Sequence, residues 1–329
     1  MIPSKSPMFL MVLIYSFFLS LWLVFQNPLL DSYFALGNVD WYANYAKTIF
    51  HPEHLAKVLY WGESILMPLI GNLVGASQTF IAYKVFCATL LISILPFLAL
   101  LFQLYGQNAL QTLLVVTIFG ISFKLLQTAG LGYPDPLTIL LLITAALSRN
   151  KVVIFLALSL AALAHFSMAA VGAIALSLLF FTTFEWNKKT GILFGLSSLA
   201  GLLFGRGVLE LWYRHFDYLY TNGRLAAVLD KGIPFFAQQY VADIWGFWLT
   251  PGMPFLIVYT CILLYLLIYK HYLFMCTAVI ALLLSYGVLF FTVDGLRGFA
   301  VTIVPAYVFL LATLSKSLFN KTTSTPRSK

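Results

Sequence analysis

Seven ionisable side chains stand in or beside apolar stretches of this chain: Lys84, Lys124, Asp135, His165, Arg206, Asp294 and Arg297. An ionised group at the bilayer centre costs roughly 2.5–3.5 kcal/mol on insertion scales, so such residues ordinarily face a polar cavity and a partner. All seven fall on the outer side of the expected membrane topology. That shared side suggests one outward-facing site. Two plainer readings stand beside this one. Long cations can snorkel to the surface, and ion pairs such as Asp294 with Arg297 could simply hold a bundle together. His165, in the run Ala-Leu-Ala-His-Phe-Ser, reads either as a site residue or as a histidine at a helix break.

A further carboxylate, Asp40, belongs to a periodic set with Asn44, Lys47 and His51 at i, i+4, i+7 and i+11. At 100° per residue these four share a narrow arc, while Tyr42, Tyr45, Ala46 and Ile49 fall opposite. The pattern predicts a helix lying in the membrane interface, its aromatic side in the headgroups and its polar stripe turned to water or a cavity. Such a helix is either a surface element or the platform for a catalytic Asp40.

The elements that would position these groups follow from composition. The chain has 329 residues, is 61% hydrophobic and 9% charged, and carries a formal net charge of +8. Soluble proteins are roughly 45–50% apolar and about 25% charged. This composition excludes a disordered chain and a nucleic-acid-binding domain, and it argues against a soluble enzyme. The expected fold is all-α: a polytopic transmembrane helix bundle, one integral-membrane domain over 1–329. Spans are read at about 8–26, 79–104, 109–126, 136–148, 152–165, 167–184, 191–209, 249–269, 272–293 and 299–315, some short or re-entrant.

With both termini cytoplasmic, the inner side receives ten of the Lys and Arg residues against one acid, Glu185. The outer side receives nine cations and ten acids. That asymmetry satisfies the positive-inside rule, so the net charge is mostly topology. The first span has no small-residue cleavage site after Phe25-Gln26-Asn27-Pro28 and reads as a signal anchor. Cys87, Cys261 and Cys276 lie within apolar spans and are odd in number, so they read as buried small hydrophobes rather than as a disulfide or metal site.

Nearly all non-membrane sequence falls in two outer segments, 27–78 and 210–248, with a cytoplasmic tail at 316–329. The second holds eleven aromatic residues in 39, among them Trp212, Tyr213, Phe216 and Trp245. Such a run anchors at headgroup depth. Alternatively it forms a lid over a lipid-linked substrate, with Arg214 and Arg224 available to a phosphate.

Four short motifs occur in order along the chain. They are Asp40-Trp41-Tyr42-Ala43-Asn44-Tyr45-Ala46, then Tyr60-Trp61-Gly62-Glu63-Ser64-Ile65-Leu66-Met67-Pro68-Leu69, then Tyr133-Pro134-Asp135-Pro136-Leu137-Thr138, and Asp294-Gly295-Leu296-Arg297 with Pro305. Their order and common side resemble bacterial membrane proteins similar to the GT-C glycosyltransferases. Two positions depart from that pattern: Glu63 stands where an arginine is common, and His165 where a glutamate is common.

The resemblance implies transfer of a sugar from a polyprenyl-phosphate donor to a glycan or lipid acceptor, at the outer face of a bacterial inner membrane. It implies an inverting displacement with Asp40 as general base. Asp135 would be a second carboxylate, orienting the acceptor or holding a divalent cation such as Mg or Mn through oxygen ligands. Lys84, Lys124, Arg206 and Arg297 would meet the departing phosphate, with His165 and Asp294 beside them. Two other readings remain: a transporter or flippase for lipid-linked sugars, and a non-catalytic assembly subunit of an envelope polysaccharide system.

Overall fold

The computed structural model describes residues 7–26, 38–51, 64–122, 134–184, 187–216, 252–288 and 295–323, without the side chains of 38–41, 295–296 and 320–323. Lys124, Asp294, most of the 210–248 aromatic segment and the end of the C-terminal tail lie outside the described residues. All regular structure among the described residues is helical. Its helices are α1 (Pro7–Phe25), α2 (Asn38–Lys47), α3 (Leu66–Leu73), α4 (Phe80–Leu104), α5 (Ala109–Ile121), α6 (Asp135–Leu147), α7 (Lys151–Thr182), α8 (Lys188–His215), α9 (Met253–Ile268), α10 (Tyr272–Gly287) and α11 (Gly295–Thr323). Five described helices are long and apolar enough to cross a membrane: α1, α4, α7, α8 and α11; the apolar helices α5, α6, α9 and α10 are shorter. Large apolar side chains stand exposed along α1, α4, α8 and α9, as expected where lipid rather than water covers the surface.

At the centre is α11. Every residue from Arg297 to Ser315 is buried, and a helix that is apolar on all sides must be enclosed on all sides. It packs against α5, α6, α7 and α10. Some of its polar groups reach across the bundle and others bond within the helix: Tyr307 shares a 3.1 Å hydrogen bond with Ser122, whereas the Thr302 hydroxyl donates to the Gly298 carbonyl at 2.9 Å and that of Ser315 to the Ala312 carbonyl at 2.9 Å.

The two segments read as 152–165 and 167–184 form one continuous helical stretch, α7, broken at His165. That residue is extended, with φ −163° and ψ 91°. Contacts with the unbroken helix α8 show what the break does. A Cβ on Gly201 would meet the Phe155 carbonyl oxygen and one on Gly205 that of Ser159, so the first half of α7 runs parallel to α8. Beyond the break, Phe166 lies beneath Arg206 while Phe180 and Phe181 lie against Phe194 and Gly191, so the second half runs antiparallel. The chain reverses at His165. The glycines permit it, because a Cβ would come within 2.6 Å of the Phe155 oxygen and 2.5 Å of the Ser159 oxygen.

The helix around Asp40 forms as its period predicts. Asn44, Lys47 and His51 are exposed, whereas Tyr42, Tyr45, Ala46 and Ile49 are buried. The expectation that this aromatic side lies among headgroups is therefore corrected: it packs inside the protein. Tyr42, Ala43 and Ala46 join Met67, Tyr83 and Cys87, and Tyr45 and Ile49 join Ile65, Leu209 and Tyr213. The cysteines also separate, with Cys87 buried but Cys261 and Cys276 exposed, and all three are free thiols.

Arg149, Lys151, Lys188 and Lys189 lie at or beside the helix ends opposite those of Asp135, His165 and Arg206. Lys316 lies about five turns along α11 from Arg297, in one cleft with Arg149, and Lys270 precedes His271, which stacks on Phe184 at the far end of α7. The bundle thus has a basic end opposite the end that carries the motifs. Gly205→Leu should drive a side chain into the α7 backbone and lower stability by at least about 1–3 kcal/mol. Gly195→Ala, where a Cβ meets nothing within 4 Å, should be close to neutral. Denaturant titration in detergent micelles distinguishes the two.

Candidate functional site

Asp135 sits at the start of α6 for local reasons. Pro136 fixes φ near its helical value and has no N–H to leave unsatisfied, so it suits a first turn. Thr138 donates both its backbone N–H and its hydroxyl to the Pro134 carbonyl, each at 3.0 Å. The Asp135 carboxylate is placed in the first turn, at the positive end of the helix dipole.

Arg297 occupies the first turn of α11, where a cation is on the unfavourable end of the dipole. Asp135 offsets this. The Arg297 Nη1 atom lies 3.1 Å from Asp135 Oδ2, and the two side chains are only 7% and 1% exposed. A buried pair of this kind gains little net stability because both ions lose hydration. Removing one partner is costly, since it strands the other charge in an apolar medium.

His165 is 3% exposed, with Nδ1 3.4 Å from the Ser167 hydroxyl. The break there frees the Leu163 carbonyl from the helix ladder, and the backbone N–H of Ile65 donates to it at 3.0 Å. The Leu-Met-Pro-Leu helix α3 is thus anchored directly on the turn of α7. Three residues after His165, Met168 lies against the position a Cβ of Gly298 would take, at 2.9 Å, which places the break beside the Arg297 turn.

Arg206 forms an ion pair with Glu210 one turn along α8, and its guanidinium carbon lies 5.2 Å from the centre of the Phe166 ring. Lys84 is half-buried in the second turn of α4. Asp40 lies on α2, its side chain outside the described residues.

The sequence-predicted residues are therefore drawn together unevenly. Asp135 and Arg297 meet directly. His165 stands beside them through Met168 and Gly298, and Arg206 stands beside His165 through Phe166. The helices of Asp40, Lys84 and Asp135 share an apolar cluster in which Tyr42, Tyr83 and Leu137 take part.

Sequence reasoning passed over Tyr83. It is fully buried in that cluster and its hydroxyl has no hydrogen-bond partner among the described residues. Only its position before Lys84 at a span start pointed to it.

Among the described residues no three His, Cys, Asp or Glu side chains come together as metal ligands. A divalent ion on Asp135 would also have to sit beside the Arg297 charge, so the described residues do not fit a metal site. No protein-family profile, curated protein or solved structure matches this chain.

Asp135→Ala and Arg297→Ala should each lower unfolding free energy by about 3–5 kcal/mol, and the double variant by clearly less than their sum. Chemical denaturation of the four proteins tests this. Strict additivity would mean that the two charges are held independently.

Proposed function

We propose that this chain transfers a sugar from a polyprenyl-phosphate donor to a glycan or lipid acceptor at the outer face of a bacterial inner membrane, as a GT-C-like glycosyltransferase. The supporting observation is the buried Asp135–Arg297 pair, seated at the motif end of an otherwise apolar bundle and next to the reversal at His165. A cation held at one end of a membrane bundle suits a reaction whose leaving group is a lipid phosphate. In this reading about ten segments cross the membrane, both termini are cytoplasmic, and the basic end faces the cytoplasm.

The acceptor hydroxyl attacks the anomeric carbon as the bond from that carbon to the phosphate oxygen breaks, with inversion. Asp40 takes the hydroxyl proton. The electron pair of the broken bond leaves on the polyprenyl phosphate, and the charge that grows there is met by Arg297, with Lys84, Lys124 and Arg206 as further cations. Asp135 acts as a positioning residue: its carboxylate fixes the Arg297 guanidinium. His165 and Asp294 complete the substrate-binding set. No step depends on a metal ion.

One observation favours a second reading. Burial of both members of the pair is also what a purely structural clamp requires, as in a non-catalytic assembly subunit of an envelope polysaccharide system.

Purified protein incubated with a panel of polyprenyl-phosphate sugars should release free polyprenyl phosphate. Asp40→Asn should cut that release by about 10²–10⁴-fold while the protein accumulates normally. Full activity in Asp40→Asn would place the base elsewhere. If Arg297→Ala lowers only abundance, leaving turnover per folded molecule intact, the clamp reading prevails.

A further inference from the structure

We propose that a cleft at the basic end of the bundle, remote from the motif end, binds a phosphate group, either on a lipid of the adjoining leaflet or free in solution. Three rigid pieces of backbone converge there. The first is the turn after α4: Gly106 has φ 81°, its N–H donates to the Gln103 carbonyl, and the Gln107 N–H donates to the Phe102 carbonyl, both at 3.0 Å. The second is the turn between α6 and α7. There the Ser148 N–H donates to the Thr144 carbonyl at 3.1 Å, the Asn150 N–H to the Ser148 hydroxyl at 3.1 Å, and the Val152 N–H to Asn150 Oδ1 at 2.9 Å. The third is the central helix α11.

From these pieces come Tyr105, Gln107, Arg149, Thr313 and Lys316, which line a cleft of about 30 Å³ beside Phe309. That is room for about two or three water-sized groups, enough to seat some of the oxygens of a phosphate while the rest stay at the mouth. Arg149 is exposed and Lys316 half-buried, whereas Gln107 and Thr313 are buried. Gln107, whose Oε1 lies 3.4 Å from the Ser315 hydroxyl, adds a buried amide to the cleft. Two cations, an amide and a hydroxyl are the donor set of an anion site. No carboxylate lines the cleft among the described residues.

A basic residue at this end needs no explanation beyond topology. Convergence of two cations, one from the turn between α6 and α7 and one from α11, on a cleft floored by buried donors does, because their fields add at its mouth and favour an anion there. Basic pockets between membrane helices take phosphate headgroups on these grounds. Leu104 and Leu318, exposed close to the lining residues Tyr105 and Lys316, would meet the acyl chains of a lipid held there.

The test uses full-length protein in neutral detergent, titrated with phosphatidylglycerol, phosphatidylcholine or inorganic phosphate, with thermal unfolding as the readout. Phosphatidylglycerol should raise the midpoint. The Arg149→Gln/Lys316→Gln double variant should weaken that binding at least about tenfold, whereas Lys188→Gln/Lys189→Gln, which removes equal charge from the same end, should leave it unchanged. A response to phosphatidylglycerol alone assigns the site to a lipid headgroup. A response to inorganic phosphate as well assigns it to the phosphate group from either source. The proposal is overturned by no response to either anion, by an equal response to phosphatidylcholine, or by equal weakening in both double variants. Should Arg149→Gln/Lys316→Gln fail to accumulate, Thr313→Val decides in its place: weaker binding supports the site and unchanged binding overturns it.

Discussion

An arginine and an aspartate 3.1 Å apart, both almost wholly excluded from solvent, constrain the whole motif end of this bundle. Neither ion can be held there alone, because apolar surroundings strand an unpaired charge at several kcal/mol. The start of α6 and the start of α11 must therefore stay together. Since α11 is enclosed on every side, fixing its first turn fixes the frame against which α5, α7 and α10 pack. Apolar contacts between helices in lipid are interchangeable in a way that a buried ion pair is not, so the pair supplies register where dispersion forces supply only cohesion.

The reversal at His165 is the second constraint, and it acts through the backbone. A helix that breaks inside an apolar bundle exposes carbonyls that lipid cannot satisfy. Here the exposed carbonyl of Leu163 accepts from Ile65, so the break is also the docking point for α3. Asn72 on α3 in turn donates to the Ala46 carbonyl at 2.8 Å, carrying the connection on to α2, the helix of Asp40. The carbonyl freed at the break thereby links the reversal, the Leu-Met-Pro-Leu helix and the helix of the proposed base. The glycines at 201 and 205 admit this arrangement by letting the two helix backbones approach without intervening side chains.

The two ends of the bundle differ in electrostatic kind. At the motif end both signs occur and are paired in small units: Asp135 with Arg297, and Glu210 with Arg206. At the basic end the described charges are cations alone. Pairing suits a site that must hold its own charges in place while a neutral or singly charged substrate comes and goes. A predominance of positive charge suits attraction of an anion. The proposed sugar transfer and the proposed phosphate cleft thus draw on opposite arrangements of the same few residue types.

Composition and periodicity by themselves determined that the chain is an apolar helical bundle, where its apolar segments lie, and that the helix of Asp40 is two-sided. Those properties are local, since a 3.6-residue period or a run of twenty apolar residues is complete within its own segment. Sequence also singled out Asp135 and Arg297, because charge in an apolar stretch is conspicuous wherever it occurs, and it weighed a helix break at His165. It could not join Asp135 to Arg297, which lie 162 positions apart; the neighbour Asp294 was the obvious partner on spacing alone. Nor could it show that Tyr42 and Tyr45 face protein rather than headgroups, because both surroundings reward an aromatic side chain equally. Pairing across the chain and the identity of what covers an apolar face are decided only by packing, since they depend on which surfaces meet and not on what any one segment contains.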